Sequence, residues 1–199
     1  MNIPLSVPNI CGNESKYVTE CLETGWISSA GKYVDKFEKI VANFVGSKYG
    51  IATVNGTSAI HISLLLNGVK PNDYVIVSNL TFVASANAIM YTGAEPILID
   101  ADPNTWQMDL DLLEEFFEDK TTINNIGERV LCTDGRCIRL IMPVHIQGNI
   151  FDIKRFKSIC YKYKINFIED AAEALGSNYK GKSAGTFGKM GIYSFNGNK

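Results

Sequence analysis

The sequence predicts an α/β fold, a mostly parallel sheet with helices on both faces, and three observations predict it. Short apolar runs of strand length alternate with stretches of helical period from residue 49 onward. Hydroxyl and acidic residues recur where a strand hands over to a helix, at Gly56-Thr57-Ser58 and at Glu169-Asp170. Hydrophobic residues make up 46% and charged residues 20%, ordinary values for a globular chain able to bury a core. Alternation of this kind leads to parallel strands joined by helical crossovers.

Taken in order, residues 14–24 and 33–45 read as helices, the second with Val34, Phe37, Val41 and Phe44 at helical spacing. Trp26 to Gly31 between them reads as a loop. Residues 49–54 suggest a short strand, and a helix is expected from Thr57 to Leu66. Strands follow at 73–78, 95–99, 138–144 and 166–169, with helices at 82–91, 109–118 and 152–163. The last helix places Ile153, Phe156, Ile159, Cys160 and Tyr163 on one face. Residues 120–137 interrupt the alternation and read as an inserted surface hairpin, with Asp134-Gly135 as a turn signal. Ala171 to Leu175 looks helical, and Gly185 to Tyr193 looks β-like.

A length of 199 residues suggests one domain or slightly more. The net charge of −2 argues against a nucleic-acid partner, which usually calls for a basic excess. No apolar run approaches bilayer length, and Met1 to Cys11 lacks the pattern of a signal peptide. The five cysteines are odd in number and scattered, as reduced thiols of the cytoplasm would be. Cys132 and Cys137 have no second ligand pair at zinc spacing, so no metal site is expected.

In an open parallel sheet, ligands bind beyond the carboxyl ends of the strands. Gly56-Thr57-Ser58, Asp170 and His145 all fall on that rim. Gly56, Thr57 and Ser58 suit either a phosphate seat at a helix N-terminus or a plain helix cap. Asp170 could pair with a cationic ring nitrogen or cap a helix from Ala171 onward. Phe82 reads as a core aromatic by spacing alone. His61 lies in an apolar helix and reads as structural, whereas His145 ends a strand near the presumed pocket. Gly176 to Ser183 fits the P-loop pattern, but no helix follows it, so an NTPase is a poor alternative.

Read together, Ser194-Phe195-Asn196-Gly197-Asn198-Lys199, Glu169-Asp170-Ala171-Ala172 and Asn55-Gly56-Thr57-Ser58-Ala59 resemble the DegT/DnrJ/EryC family of sugar-nucleotide aminotransferases. The resemblance runs from about residue 13 to residue 199. It implies the large domain of an aspartate-aminotransferase-like enzyme, with pyridoxal 5′-phosphate (PLP) as cofactor. Lys199 then corresponds to the catalytic lysine that binds PLP covalently. Gly56, Thr57, Ser58 and Ser194 would serve the cofactor phosphate, Asp170 the ring nitrogen, Phe82 the ring face and Glu173 the 3′-oxygen. Glu173 stands where many relatives carry Gln. Asn13 to Val18 and Gly25 to Ser29 look most like synthases of 4-amino sugars, of the perosamine or legionaminate and bacillosamine type. That likeness suggests substrate roles for Trp26, Ser28, Gly31 and His145.

The implied reaction moves an amino group from L-glutamate to the C4 keto group of a nucleotide-linked 4-keto-6-deoxy sugar, in a cytoplasmic homodimer with a shared site. Because relatives continue beyond the lysine, residues 1–199 are expected to be an N-terminal segment plus most of the PLP-binding domain, without the small C-terminal domain. Alternatives are a non-catalytic fragment of such an enzyme and a pyridoxamine-dependent dehydratase, which would carry histidine in place of Lys199.

Overall fold

The computed structural model describes Val7 and residues 9–197. The described residues up to Ala52 and from Phe195 onward form one compact unit, and Thr53–Ser194 form a second.

The first unit is built on helices α1 (Glu14–Thr24) and α2 (Lys32–Val45). Both stop at a glycine in the left-handed region, Gly25 at φ 72° and Gly46 at φ 73°, where a side chain would be strained. α1 buries no residue, and α2 buries only Ala42 and Val45. Trp26 to Gly31 is a loop, as expected. The strand expected at 49–54 does not form. Its Ala52 amide donates to Glu38 Oε1 at 2.8 Å instead of to a neighbouring strand. Gly50 also lies so close to α2 that a Cβ would stand 2.6 Å from the Glu38 carbonyl.

The second unit opens with α3 (Gly56–Leu66), β1 (Tyr74–Ser78), α4 (Ala84–Tyr91), β2 (Glu95–Ile99) and α5 (Leu110–Lys120). A hairpin of β3 (Thr121–Ile123) and β4 (Arg129–Leu131) leads into β5 (Ile138–Met142) and α6 (Ile153–Lys162). β6 (Asn166–Phe167) and β7 (Glu169–Asp170) follow, then β8 (Asn178–Tyr179), β9 (Lys182–Ser183) and β10 (Gly191–Ile192). The main sheet runs β2-β1-β5-β6 with every pair parallel, and β7 pairs in parallel with β10.

Period-two alternation along these strands divides the core between two faces. Val75, Val77, Leu140 and Met142 pack with Ile60 and Leu64 of α3 and Ala88 and Ile89 of α4. Ile76 and Ile141 pack with Leu113 and Phe117 of α5 and Phe156 and Ile159 of α6. The result is the expected parallel sheet between two helical layers. β1 is buried on both faces from Val75 to Ser78, which explains its continuous apolar run.

Two further expectations need correction, and the rejection of the P-loop reading holds. α4 begins at Ala84, two residues later than expected, leaving Phe82 in the preceding turn. Residues 171–175 form turns and no helix: the Ala174 amide turns back to the Ala171 carbonyl and the Ser177 amide to the Ala174 carbonyl, with Gly176 between them at φ 94°. The P-loop lookalike is an antiparallel hairpin. Lys180 and Gly181, at φ 52° and 79°, make its two-residue turn, so Lys182-Ser183 enters a strand and not a helix. The insertion at 120–137 is indeed a hairpin, held to the sheet by Arg136 Nε donating to the Asn72 carbonyl at 2.8 Å.

Candidate active site

Asp170 ends β7 and is only 4% exposed. Its backbone is fixed from both sides: its amide donates to the Pro143 carbonyl, and its carbonyl accepts from the His145 amide. Its carboxylate is held too. Oδ2 accepts from Ser85 Oγ at 2.7 Å, and Oδ1 accepts from the Ala172 amide at 3.1 Å. The alternative role of capping a helix falls away, since no helix follows.

Ser85 lies in the first turn of α4 and is fully buried. Its oxygen is 2.8 Å from Thr81 Oγ1. In this segment the sequence pointed to Phe82 and not to Ser85. The available signal was the spacing of four between Thr81 and Ser85, which sets two hydroxyls side by side as a helix begins. Phe82 is 68% exposed, so it is not the core aromatic that spacing alone suggested.

A second group of residues surrounds the start of α3. Asn55 caps this helix, its Oδ1 accepting from the Ser58 amide at 2.8 Å. Thr57 and Ser58 therefore do not cap it, and their hydroxyls stand on the first turn. The opening amides of a helix have no partner within it and carry the positive end of its dipole, which suits an anion. Ser194, two residues beyond β10, comes close to this turn: a Cβ on Gly56 would stand 3.4 Å from Ser194 Cβ. Residues 138 positions apart thus meet beside one helix N-terminus.

Glu173 is exposed, and its Oε2 accepts from the Gln147 amide at 2.8 Å. That bond stabilises Gln147 at φ 51°, a backbone conformation uncommon outside glycine. His145 is fully buried. Its ring stacks on Phe151 at 5.0 Å, and its Nε2 lies 2.8 Å from Glu169 Oε2. These contacts give it a packing and anchoring role rather than an open catalytic position. His61, the other histidine, meets Tyr91 edge-on across α3 and α4.

Glu169 is the residue that sequence reading most undervalued. It is fully buried, and the amides of Phe187 and Gly188 donate to its Oε1 at 2.6 Å each. The Gly185 amide donates to Oε2 at 2.9 Å, beside His145. One carboxylate thereby fixes the loop that feeds β10 and Ser194. Its fixed charge, together with burial, pushes the Tyr193 hydroxyl above its ordinary range, with burial the larger cause.

Trp26, Ser28 and Gly31 belong to the first unit. Trp26 and Ser28 line a cavity of about 650 Å³ there, together with Tyr17, Leu22 and Phe37. Gly31, at φ 144°, packs against Trp26. Lys199 lies outside the described residues.

A parallel sheet between helical layers, with an anion-suited helix start and a buried aspartate on its carboxyl rim, has the α/β architecture of PLP-dependent, fold-type-I transferases. The chain belongs to the DegT/DnrJ/EryC1/StrS aminotransferase family, whose model matches residues 8–199. It is 41% identical over 197 residues to a GDP-perosamine synthase of Caulobacter vibrioides, covering 99% of this chain and 48% of that protein. It is 42% identical to a GDP-perosamine synthase of Escherichia coli O157:H7, covering 99% of this chain and 50% of that protein. Among solved structures it resembles Spr1654 of Streptococcus pneumoniae, described as a sugar aminotransferase in its PLP form. That match has a TM-score of 0.85 at 28% identity and covers 100% of this chain and 50% of the other. The chain spans about half the length of the curated relatives it matches.

Proposed function

We propose that the chain is the cofactor-binding part of a PLP-dependent aminotransferase that moves the amino group of L-glutamate onto C4 of a nucleotide-linked 4-keto-6-deoxy sugar. One observation carries the reading. The family's two separated motifs meet where Gly56 and Ser194 approach each other, on the same sheet rim as a buried, hydrogen-bonded Asp170. The donor set suits the cofactor: amides and hydroxyls of Gly56, Thr57, Ser58 and Ser194 for a phosphate, a carboxylate for a ring nitrogen, and Phe82 for a ring face.

Bound PLP supplies an electron-withdrawing ring that stabilises charge on the carbon losing its proton. The chain's own residues do the rest. Asp170 keeps the ring nitrogen protonated through its negative charge. The α3 start and Ser194 hold the phosphate end, and Phe82 covers one face of the ring. Glu173 offers a carboxylate to the ring oxygen. Lys199 takes a proton from the glutamate carbon and returns one to C4 of the sugar. Trp26, Ser28, Gly31 and His145 keep their assignment to the sugar side, His145 through the backbone and packing it anchors. A smaller C-terminal domain, a homodimer with a shared site and a cytoplasmic location complete the reading. Among the described residues, no helix is long and apolar enough to cross a membrane.

The test is an assay of the full-length protein with L-glutamate and GDP- or UDP-linked 4-keto-6-deoxy sugar, following 2-oxoglutarate and amino-sugar formation. Both products should appear with the wild type and vanish with Lys199→Ala, while that variant still takes up PLP non-covalently. Full activity of Lys199→Ala would overturn the reading.

A further inference from the structure

Ser85 makes a contact that a helical serine does not ordinarily make. A buried hydroxyl in a helix usually returns its proton to the carbonyl four residues back. Ser85 instead donates to Asp170 Oδ2 at 2.7 Å, across 85 residues of chain. The atom it meets four residues back is the Thr81 hydroxyl, at 2.8 Å. Each hydroxyl has one proton to give. Because the Ser85 proton goes to Asp170, Thr81 gives its proton to Ser85 at 2.8 Å, the shorter of its two contacts, rather than to the Phe82 carbonyl at 3.3 Å. The chain therefore reads Thr81 to Ser85 to Asp170, each donor strengthening the next. Ser85 is fully buried and Asp170 nearly so, so water does not compete for the bond between them, while the Thr81 hydroxyl is half-buried.

Thr81 is also the immediate neighbour of Phe82. A single hydroxyl pair thus ties the segment presenting the aromatic ring to the carboxylate at the end of β7. We propose that Thr81 and Ser85 are positioning residues, a donor relay that orients the Asp170 carboxylate toward the cofactor's ring nitrogen and keeps it in register with Phe82. This rests on the reading of the site as a PLP site. Ser85 touches no reacting atom and acts only through Asp170.

The relay is tested in the full-length protein by the PLP dissociation constant, from quenching of intrinsic fluorescence, alongside kcat and KM. Ser85→Ala should weaken PLP binding by roughly ten- to a hundredfold, the value of one hydrogen bond to a charged group. It should lower kcat and leave KM for the nucleotide sugar unchanged. Ser85→Thr keeps the hydroxyl and should restore most of the affinity. Thr81→Val should cost less, roughly threefold, since it removes only the polarising donor. The decisive step is a double-mutant cycle with Asp170→Asn, in whose background Ser85→Ala should cost nothing further. Unchanged PLP affinity in Ser85→Ala would overturn the relay, and so would an equal loss in the Asp170→Asn background. If Ser85→Ala fails to fold, Ser85→Cys keeps the volume with a much weaker donor and goes through the same cycle. Wild-type protein that takes up no PLP would instead bring down the functional reading, and the relay with it.

Discussion

Glu169 and Asp170 are adjacent residues of one two-residue strand, yet their side chains enter different worlds. Successive side chains of a strand leave on opposite faces. Glu169 turns to the 185–188 loop and His145, where three backbone amides and an imidazole surround it. Asp170 turns to the first turn of α4, where Ser85 meets it. Both carboxylates are buried, and both are needed, for unlike reasons. One organises backbone, and the other, in the proposed reading, acts on a ligand. A two-letter acidic motif therefore carries two separable functions, which substitutions can prise apart.

The largest expected effect comes from Asp170→Asn. The amide keeps the shape and can still accept from Ser85, with its NH₂ then against the Ala172 amide, and the charge that the proposed reading sets against the ring nitrogen is gone. Amino transfer should fall by at least about a thousandfold, some 4 kcal/mol of barrier. The melting temperature should move far less than the rate. Near-normal kinetics in the folded variant would place Asp170 with Glu169 as a purely structural carboxylate and erase the contrast.

Glu169→Gln should do the reverse. Its amide NH₂ must face either the Phe187 and Gly188 amides or the Gly185 amide and His145, donor against donor. Breaking a buried charged network in this way costs about 3 kcal/mol. For a domain of this size that lowers the melting temperature by roughly 10 °C, readable by calorimetry. PLP affinity at low temperature should fall less than in Asp170→Asn. A variant as stable as wild type would show that the four donors find water or other partners.

Much of this was legible in the sequence. The strand and helix alternation gave the layers, because strands buried on both faces and amphipathic helices leave strong periodic signals. Gly56 and Ser194 were identified by motif, and their approach is visible in the fold. Ser85 and the role of Glu169 were not, because their importance lies in partners 85 and 16 residues away. Spacing cannot register such contacts. The missing strand at 49–54 failed for a related reason, since pairing is a property of neighbours and β-propensity alone does not supply one. Ala171 to Leu175 looked helical by composition, but its amides close successive three-residue turns that end at Gly176 in the left-handed region.

The loop that Glu169 fixes offers a sharper test. Gly185 sits at φ 81°, and a Cβ there would stand 2.5 Å from the Tyr193 hydroxyl and 3.1 Å from Ala171 Cβ. Gly185→Ala combines an unfavourable backbone with overpacking, so a loss of about 2 kcal/mol is expected from denaturant titration. Because the strain falls on the Glu169 side, the contrast predicts a loss of stability with little direct effect on catalysis per folded molecule. A large kcat loss at full stability would mean that the two sides are coupled.

The smallest expected effect belongs to Tyr193→Phe. The Tyr193 hydroxyl donates to the Ala184 carbonyl and faces the Glu169 charge in a half-buried position. Deleting it removes one neutral hydrogen bond, about 1 kcal/mol near neutral pH. The pH dependence distinguishes this loss from simple repacking. Burial, and then the Glu169 charge, raise the tyrosine's pKa in the folded chain above its unfolded value of about 10. The folded state therefore holds the proton more tightly. That contribution is fully present below about pH 10 and is lost as pH rises through the folded value. Wild type should accordingly lose stability more steeply than Tyr193→Phe above about pH 10, so their denaturation midpoints should converge there. Midpoints that stay parallel across that range would mean that neither burial nor Glu169 raises the tyrosine's pKa in the folded chain.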